Sequence, residues 1–183
     1  MKKLAFILTI FCALVSGIAF AQVGSKTASA TLNVKLYPIQ TIVIGGDNTV
    51  NLEYNTKEDY SKGVTKTMEN HLTVYSTGGF AVKVKSENEN LVRKEGESKI
   101  AVKTINLEAA LGSNNKLNAP TFKKVELSNT VNNLLISSDV GGTDLKFNVA
   151  YSGIGNNDYV NKYYNVEKPT VYTTTVTYTI EAQ

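Results

Sequence analysis

The sequence predicts an all-β protein, an antiparallel β-sandwich with one or two short helical turns. Three observations lead there. Apolar and polar residues alternate at period two through most of the chain, Asn- and Gly-rich turns separate the alternating runs, and no long amphipathic helical pattern appears.

The first 21 residues stand apart from this pattern. Lys2 and Lys3 precede the apolar run "LAFILTIFCALVSGIAF", and Ala19-Phe20-Ala21 places small residues where a signal peptidase cuts. The run approaches a membrane-spanning length, but polar "QVGSKTASAT" follows the small residues at once. Residues 1–21 therefore read as a secretory signal peptide cleaved before Gln22, and residues 22–183 as a single domain with no membrane span. Cys12, the only cysteine of the 183 residues, lies in the signal, so stability must come from the core and the sheet ladders rather than from disulfides. The formal charge of the whole chain is +3; without Lys2 and Lys3 the balance is 17 Lys+Arg against 16 Asp+Glu, or +1. That near-neutrality argues against nucleic acid or an anionic membrane as partner.

The strands are expected in the following order. In "TASATLNVKL", Ala28, Ala30, Leu32, Val34 and Leu36 share one face, and this segment is expected to pair as a first strand within its own domain. Pro38 interrupts it, "IQTIVI" resumes, and "TVNLEY" aligns Val50, Leu52 and Tyr54. "NTKEDYSKG" offers a helical turn capped by Asn55 or Thr56 and stopped at Gly63, and "LEAALG" a second. "HLTVYSTGGFAVKVKS" reads as a hairpin turning at Thr77-Gly78-Gly79. In "KIAVKTINLEA", Ile100 and Val102 have the opposite parity to Ile105 and Leu107, which calls for a bulge or a strand buried on both faces. "FKKVELS", "NNLLISS" and "DLKFNVAYS" follow, the last aligning Leu145, Phe147, Val149 and Tyr151. The closing "VYTTTVTYTIEAQ" puts Tyr172, Val176, Tyr178 and Ile180 opposite Thr173, Thr175, Thr177 and Thr179, and is expected in the middle of a sheet.

Groups suited to catalysis are few. His71 is the only histidine and reads as a surface or strand-end residue. No nucleophile elbow, zinc-protease motif or phosphate loop is present, and the mature chain has no thiol. Glu87, Glu89, Glu95, Glu97, Asp139 and Asp144 are the carboxylates from which a glycosidase pair would be drawn. Asp139, Asp144, Asn156, Asn157 and Asp158 carry loop oxygens, but at no calcium-loop spacing. The sequence thus points to no enzyme, cofactor or metal.

Two stretches carry a resemblance. "STGGFAVKVKSENENL" resembles the first signature of the WxL surface domain and "YTTTVTYTI" its closing one, with Phe80-Ala81-Val82 and Tyr178-Thr179-Ile180 at the signature triplets. Phe80 and Tyr178 stand where that family has tryptophan, and the chain contains none. "ASATLNVKLYPIQTI", "VGGTDLKFNVAYSG" and "VYTTTVTYTI" resemble secreted sandwich proteins of the pilin-like and spore-coat type, without the cysteine pair that pilin-like subunits often carry. The resemblance implies an Ig-like or pilin-like sandwich in the bacterial envelope, held to cell wall non-covalently.

The function expected is therefore that of a non-enzymatic, secreted cell-surface protein, structural or adhesive, whose partners are itself or other surface subunits. Ala28, Ala30, Leu32, Val34 and Leu36 would form its assembly strand if a neighbour's sheet took it up. The alternative is a module binding cell-wall glycan or another polysaccharide through Tyr159, Tyr163 and Tyr164 of "NNDYVNKYYN". A glycan hydrolase is the third reading.

Overall fold

The computed structural model describes residues 25–164 and 167–183. The predicted signal peptide lies outside the described residues. The chain divides into residues up to Leu36 and a body, Tyr37–Gln183.

The body is almost entirely antiparallel β-structure. In chain order its elements are β1 (Gln40–Ile44), α1 (Lys57–Lys62), β2 (Val64–Ser76), β3 (Phe80–Ser86), β4 (Asn90–Arg93), β5 (Lys99–Ala101), a 3-10 turn (Val102–Thr104), β6 (Ile105–Leu111), β7 (Thr121–Phe122), β8 (Val125–Glu126), β9 (Asn133–Ser138), β10 (Gly142–Gly153), β11 (Tyr172–Thr173) and β12 (Val176–Ala182). One sheet has the order β1-β2-β10-β6-β8 and another β12-β3-β9-β7; a three-stranded sheet, β11-β4-β5, completes the body. The two larger sheets face each other across one core. Phe80 on β3 meets Phe147 on β10 edge-to-face at 6.3 Å, and Phe122 on β7 meets the same ring at 6.2 Å. Leu72, Val74, Phe80, Val82, Val84, Leu107, Leu127, Leu135, Ile136, Phe147 and Val149 are buried between them. No helix among the described residues is long and apolar enough to cross a membrane.

Several predicted elements appear as expected. β10 buries Leu145, Phe147, Val149 and Tyr151 and exposes or half-exposes the residues between them. In α1, the Thr56 side chain accepts from the Asp59 amide, the Asp59 carboxylate accepts from the Thr56 amide, and Gly63 closes the turn at φ 85°. Val50, Leu52 and Tyr54 share a face without joining a ladder.

Other expectations fail, each where a partner distant in sequence decides. The predicted hairpin around Thr77-Gly78-Gly79 is a crossing between sheets: β2 pairs with β1 and β10, β3 with β12 and β9. Both strands carry a largely apolar face, and placing them in opposite sheets lets the two faces cover each other. The crossing is tight, since a Cβ at Gly141 would lie 2.1 Å from the Ser76 carbonyl oxygen. The parity conflict in "KIAVKTINLEA" is resolved by neither a bulge nor a two-sided strand. The 3-10 turn resets the face as the chain passes from β5 in the small sheet to β6 in the large one. "LEAALG" is strand, not helix: Leu107 and Ala109 are buried while Glu108 and Ala110 point out. The closing run is broken after Thr173, and β12 lies at the edge of its sheet rather than in the middle. Its inward residues Val176, Tyr178 and Ile180 are accordingly half-buried.

The largest departure is at the N-terminal side. Residues 25–36 form no strand, and every one of them is exposed. Leu32, Val34 and Leu36 are 89%, 77% and 88% exposed. The alternation of Ala28, Ala30, Leu32, Val34 and Leu36 thus has no ladder among the described residues, contrary to the expectation of an ordinary first strand.

Candidate functional site

β12 pairs with β3 over seven residues, from Val176 opposite Ser86 to Ala182 opposite Phe80. Being terminal in its sheet, it has no ladder partner on its other side among the described residues. Alternate N–H and C=O groups of Val176–Ala182 thus have no ladder on that side among the described residues, where β1 of the other sheet runs close by. Lys83 and Glu181 pair at 2.5 Å across β3 and β12, holding the outer face in register. The two stretches resembling WxL signatures meet here: Ile180 lies opposite Val82, and Tyr178 opposite Val84. Phe80 and Val82 are wholly buried, so they act as core beneath β12 rather than as a contact surface.

Under the edge sits a polar cluster not anticipated from the sequence. His71, expected near the surface, is 2% exposed. The cause is local: opposite β10 residue 148, β2 carries three residues, Glu69 to His71, between the pairs Val149–Met68 and Phe147–Leu72. Asn70 takes φ 50°, its amide donates to Asn148 Oδ1 at 2.7 Å, and its own Oδ1 accepts from the Ser113 amide at 2.8 Å. This bulge turns His71 inward beside Leu72. Nε2 of His71 lies 2.9 Å from the Tyr151 hydroxyl, which in turn hydrogen-bonds the Tyr178 hydroxyl of β12. Both phenol rings meet the imidazole edge-on, at 5.6 and 6.0 Å. Burial pushes the Tyr151 hydroxyl up to about 12 and Tyr178 higher still, and lowers His71 from its ordinary value. A histidine directly after an asparagine, a residue that readily takes positive φ, was the one available sequence signal, and it is weak.

The three tyrosines read as glycan contacts separate. Tyr159 is buried; its hydroxyl bonds Thr104 Oγ1 at 2.5 Å and its ring stands edge-on to Tyr54 at 5.0 Å, so it cannot meet a sugar. The Asn- and Gly-rich loop folds back over the body because Asn156 and Asn157 adopt φ 56° and 61°, and this draws Tyr159 inward. Tyr163 and Tyr164 are exposed, but the Arg93 guanidinium lies over the Tyr164 ring at 4.1 Å. The carboxylates considered for catalysis, Glu87, Glu89, Glu95, Glu97, Asp139 and Asp144, are all exposed. No group of three or more His, Cys, Asp or Glu able to hold a metal occurs among the described residues. No protein-family model and no curated protein matches this chain.

Proposed function

We propose that this is a secreted, non-enzymatic structural protein of the bacterial cell surface whose copies join by strand addition. Residues 28–36 of one copy lie along the free edge of β12 in the next. The observation that carries this reading is an apolar, alternating segment left exposed and outside any ladder, in a chain whose β12 offers an unpaired edge. Main-chain hydrogen bonds would supply affinity and the alternation would supply register.

The dimensions agree. Nine residues from Ala28 to Leu36 extend about 30 Å at about 3.3 Å per residue. The seven residues of β12 need about 23 Å on the same basis, so the segment is long enough to cover the edge. Burying Leu32, Val34 and Leu36 yields roughly 1.5–3 kcal/mol each. Association costs on the order of 4–15 kcal/mol, so the ladder bonds along β12 decide whether the joint is stable. Because the donor segment and acceptor edge are different surfaces, the contact is head-to-tail and grows as a filament or ring.

Light scattering at rising concentration tests this on the chain from Gln22 and on one starting at Tyr37. The first is expected to grow in mass and the second to stay monomeric and folded. A strictly monomeric chain from Gln22 would refute the reading.

A further inference from the structure

We propose that His71 is an acid-sensitive latch on β12: neutral, it ties the five-stranded sheet to β12 through Tyr151 and Tyr178; protonated, it frees that strand. The geometry rests on three features. The imidazole is buried between the sheets, its Nε2 begins a hydrogen-bond chain that ends on β12, and its Nδ1 is buried without a hydrogen-bond partner among the described residues.

The neutral ring suits this site. With the proton on Nε2, that nitrogen donates to the Tyr151 oxygen and Tyr151 donates to Tyr178; the Nδ1 lone pair of the ring then goes unused, which costs little. Protonation turns Nδ1 into a buried, charged donor with nothing to accept it, which is far more costly than an idle lone pair. Nothing nearby offsets the charge. The titratable groups against the ring are Tyr151 on β10 and Tyr178 on β12, both neutral throughout the acid range. From the β1 side the contact is backbone, with the Gly45 amide donating to the His71 carbonyl at 2.8 Å. Desolvation alone drives the lowered proton affinity.

The sign follows from linkage. A histidine whose folded-state pKa is depressed stays neutral in the fold while the unfolded chain takes up a proton below about pH 6.5. Stability is therefore whole above that pH. Below it, the folding constant falls up to about tenfold per pH unit until the folded-state pKa is reached. The most direct way for the ring to ionise is to part from Tyr151 and Tyr178 and reach water. Of the strands it joins, β12 is the one held by a single neighbour.

The latch concerns one copy and stands apart from the assembly reading, so the test uses monomeric measurements. With one histidine in the chain, its imidazole proton resonance can be followed from pH 7.5 to 5.0, alongside amide protection factors and Tm. The imidazole is expected to titrate below the ordinary histidine range. Protection of Val176–Ala182 should fall at least tenfold and lie below that of β10 and β6 at every pH, and Tm should fall by about 3–5 °C per pH unit below pH 6.5. His71→Gln should flatten both responses. Tyr178→Phe keeps the ring but cuts the chain, and should loosen β12 already at pH 7.5. An imidazole with ordinary titration and no effect on β12 would overturn the proposal. So would an equal acid response in His71→Gln, or full β12 protection in Tyr178→Phe.

Discussion

Replacing Leu32 and Val34 together by Asp separates a strand made for a neighbour from one that belongs to its own sandwich. Both side chains lie in solvent, so within one copy the substitution exchanges one exposed group for another. Such changes stay within about ±0.5 kcal/mol, which for a chain of this length moves Tm by less than about 2 °C. In the joined state the balance differs sharply. The two apolar contacts forfeit about 3–6 kcal/mol. Two carboxylates must also enter an apolar seam, each at a further cost of at least about 1–3 kcal/mol. Even the lower figure of 3 kcal/mol weakens association more than about a hundredfold. Circular dichroism melting at low concentration reads the first effect and light scattering at high concentration the second. Expected is an unchanged Tm with multimers lost. Two results refute the reasoning: multimers of undiminished mass, or a monomer melting more than 5 °C early, roughly the loss of 1.5 kcal/mol or more. The latter would mean that Leu32 and Val34 pack inside their own sandwich.

Two further outcomes test the body of the fold. Phe147→Ala removes the ring that Phe80 and Phe122 both contact between the sheets; it should cost about 3–5 kcal/mol and lower Tm by roughly 6–20 °C in a thermal melt. Thr56→Ala breaks one half of the cap on α1 and should cost about 0.5–2 kcal/mol, read as a drop in denaturant midpoint at unchanged slope. Backbone amides of Thr56 and Asn55 hold the Asp59 carboxyl below its ordinary value. Its contribution is therefore present above the unfolded carboxyl value, near pH 3.9, and lost as pH falls through the lower folded value. Fraying of α1 amides should follow that acid step.

What was legible in the sequence is what neighbours along the chain decide. The alternation in "DLKFNVAYS" fixes which side of β10 is buried, because successive side chains of a strand must point to opposite faces. The capping residues around Lys57–Lys62 specify α1 for the same local reason. Alternation does not say which strand will lie alongside. Strand partners are chosen by burying one apolar face against another far along the chain, so "STGGF" could be a hairpin or a crossing until β2 and β3 found different sheets. The same limit hid His71: period two placed it outward, and only the mismatch in residue count between β2 and β10 turned it in. The N-terminal alternating run and β12 read alike as sound strands. Among the described residues, tertiary packing left the one without any ladder and the other with half of one, because the core closes chiefly over the faces of β2, β3, β9 and β10 and takes only a partly buried face from β12.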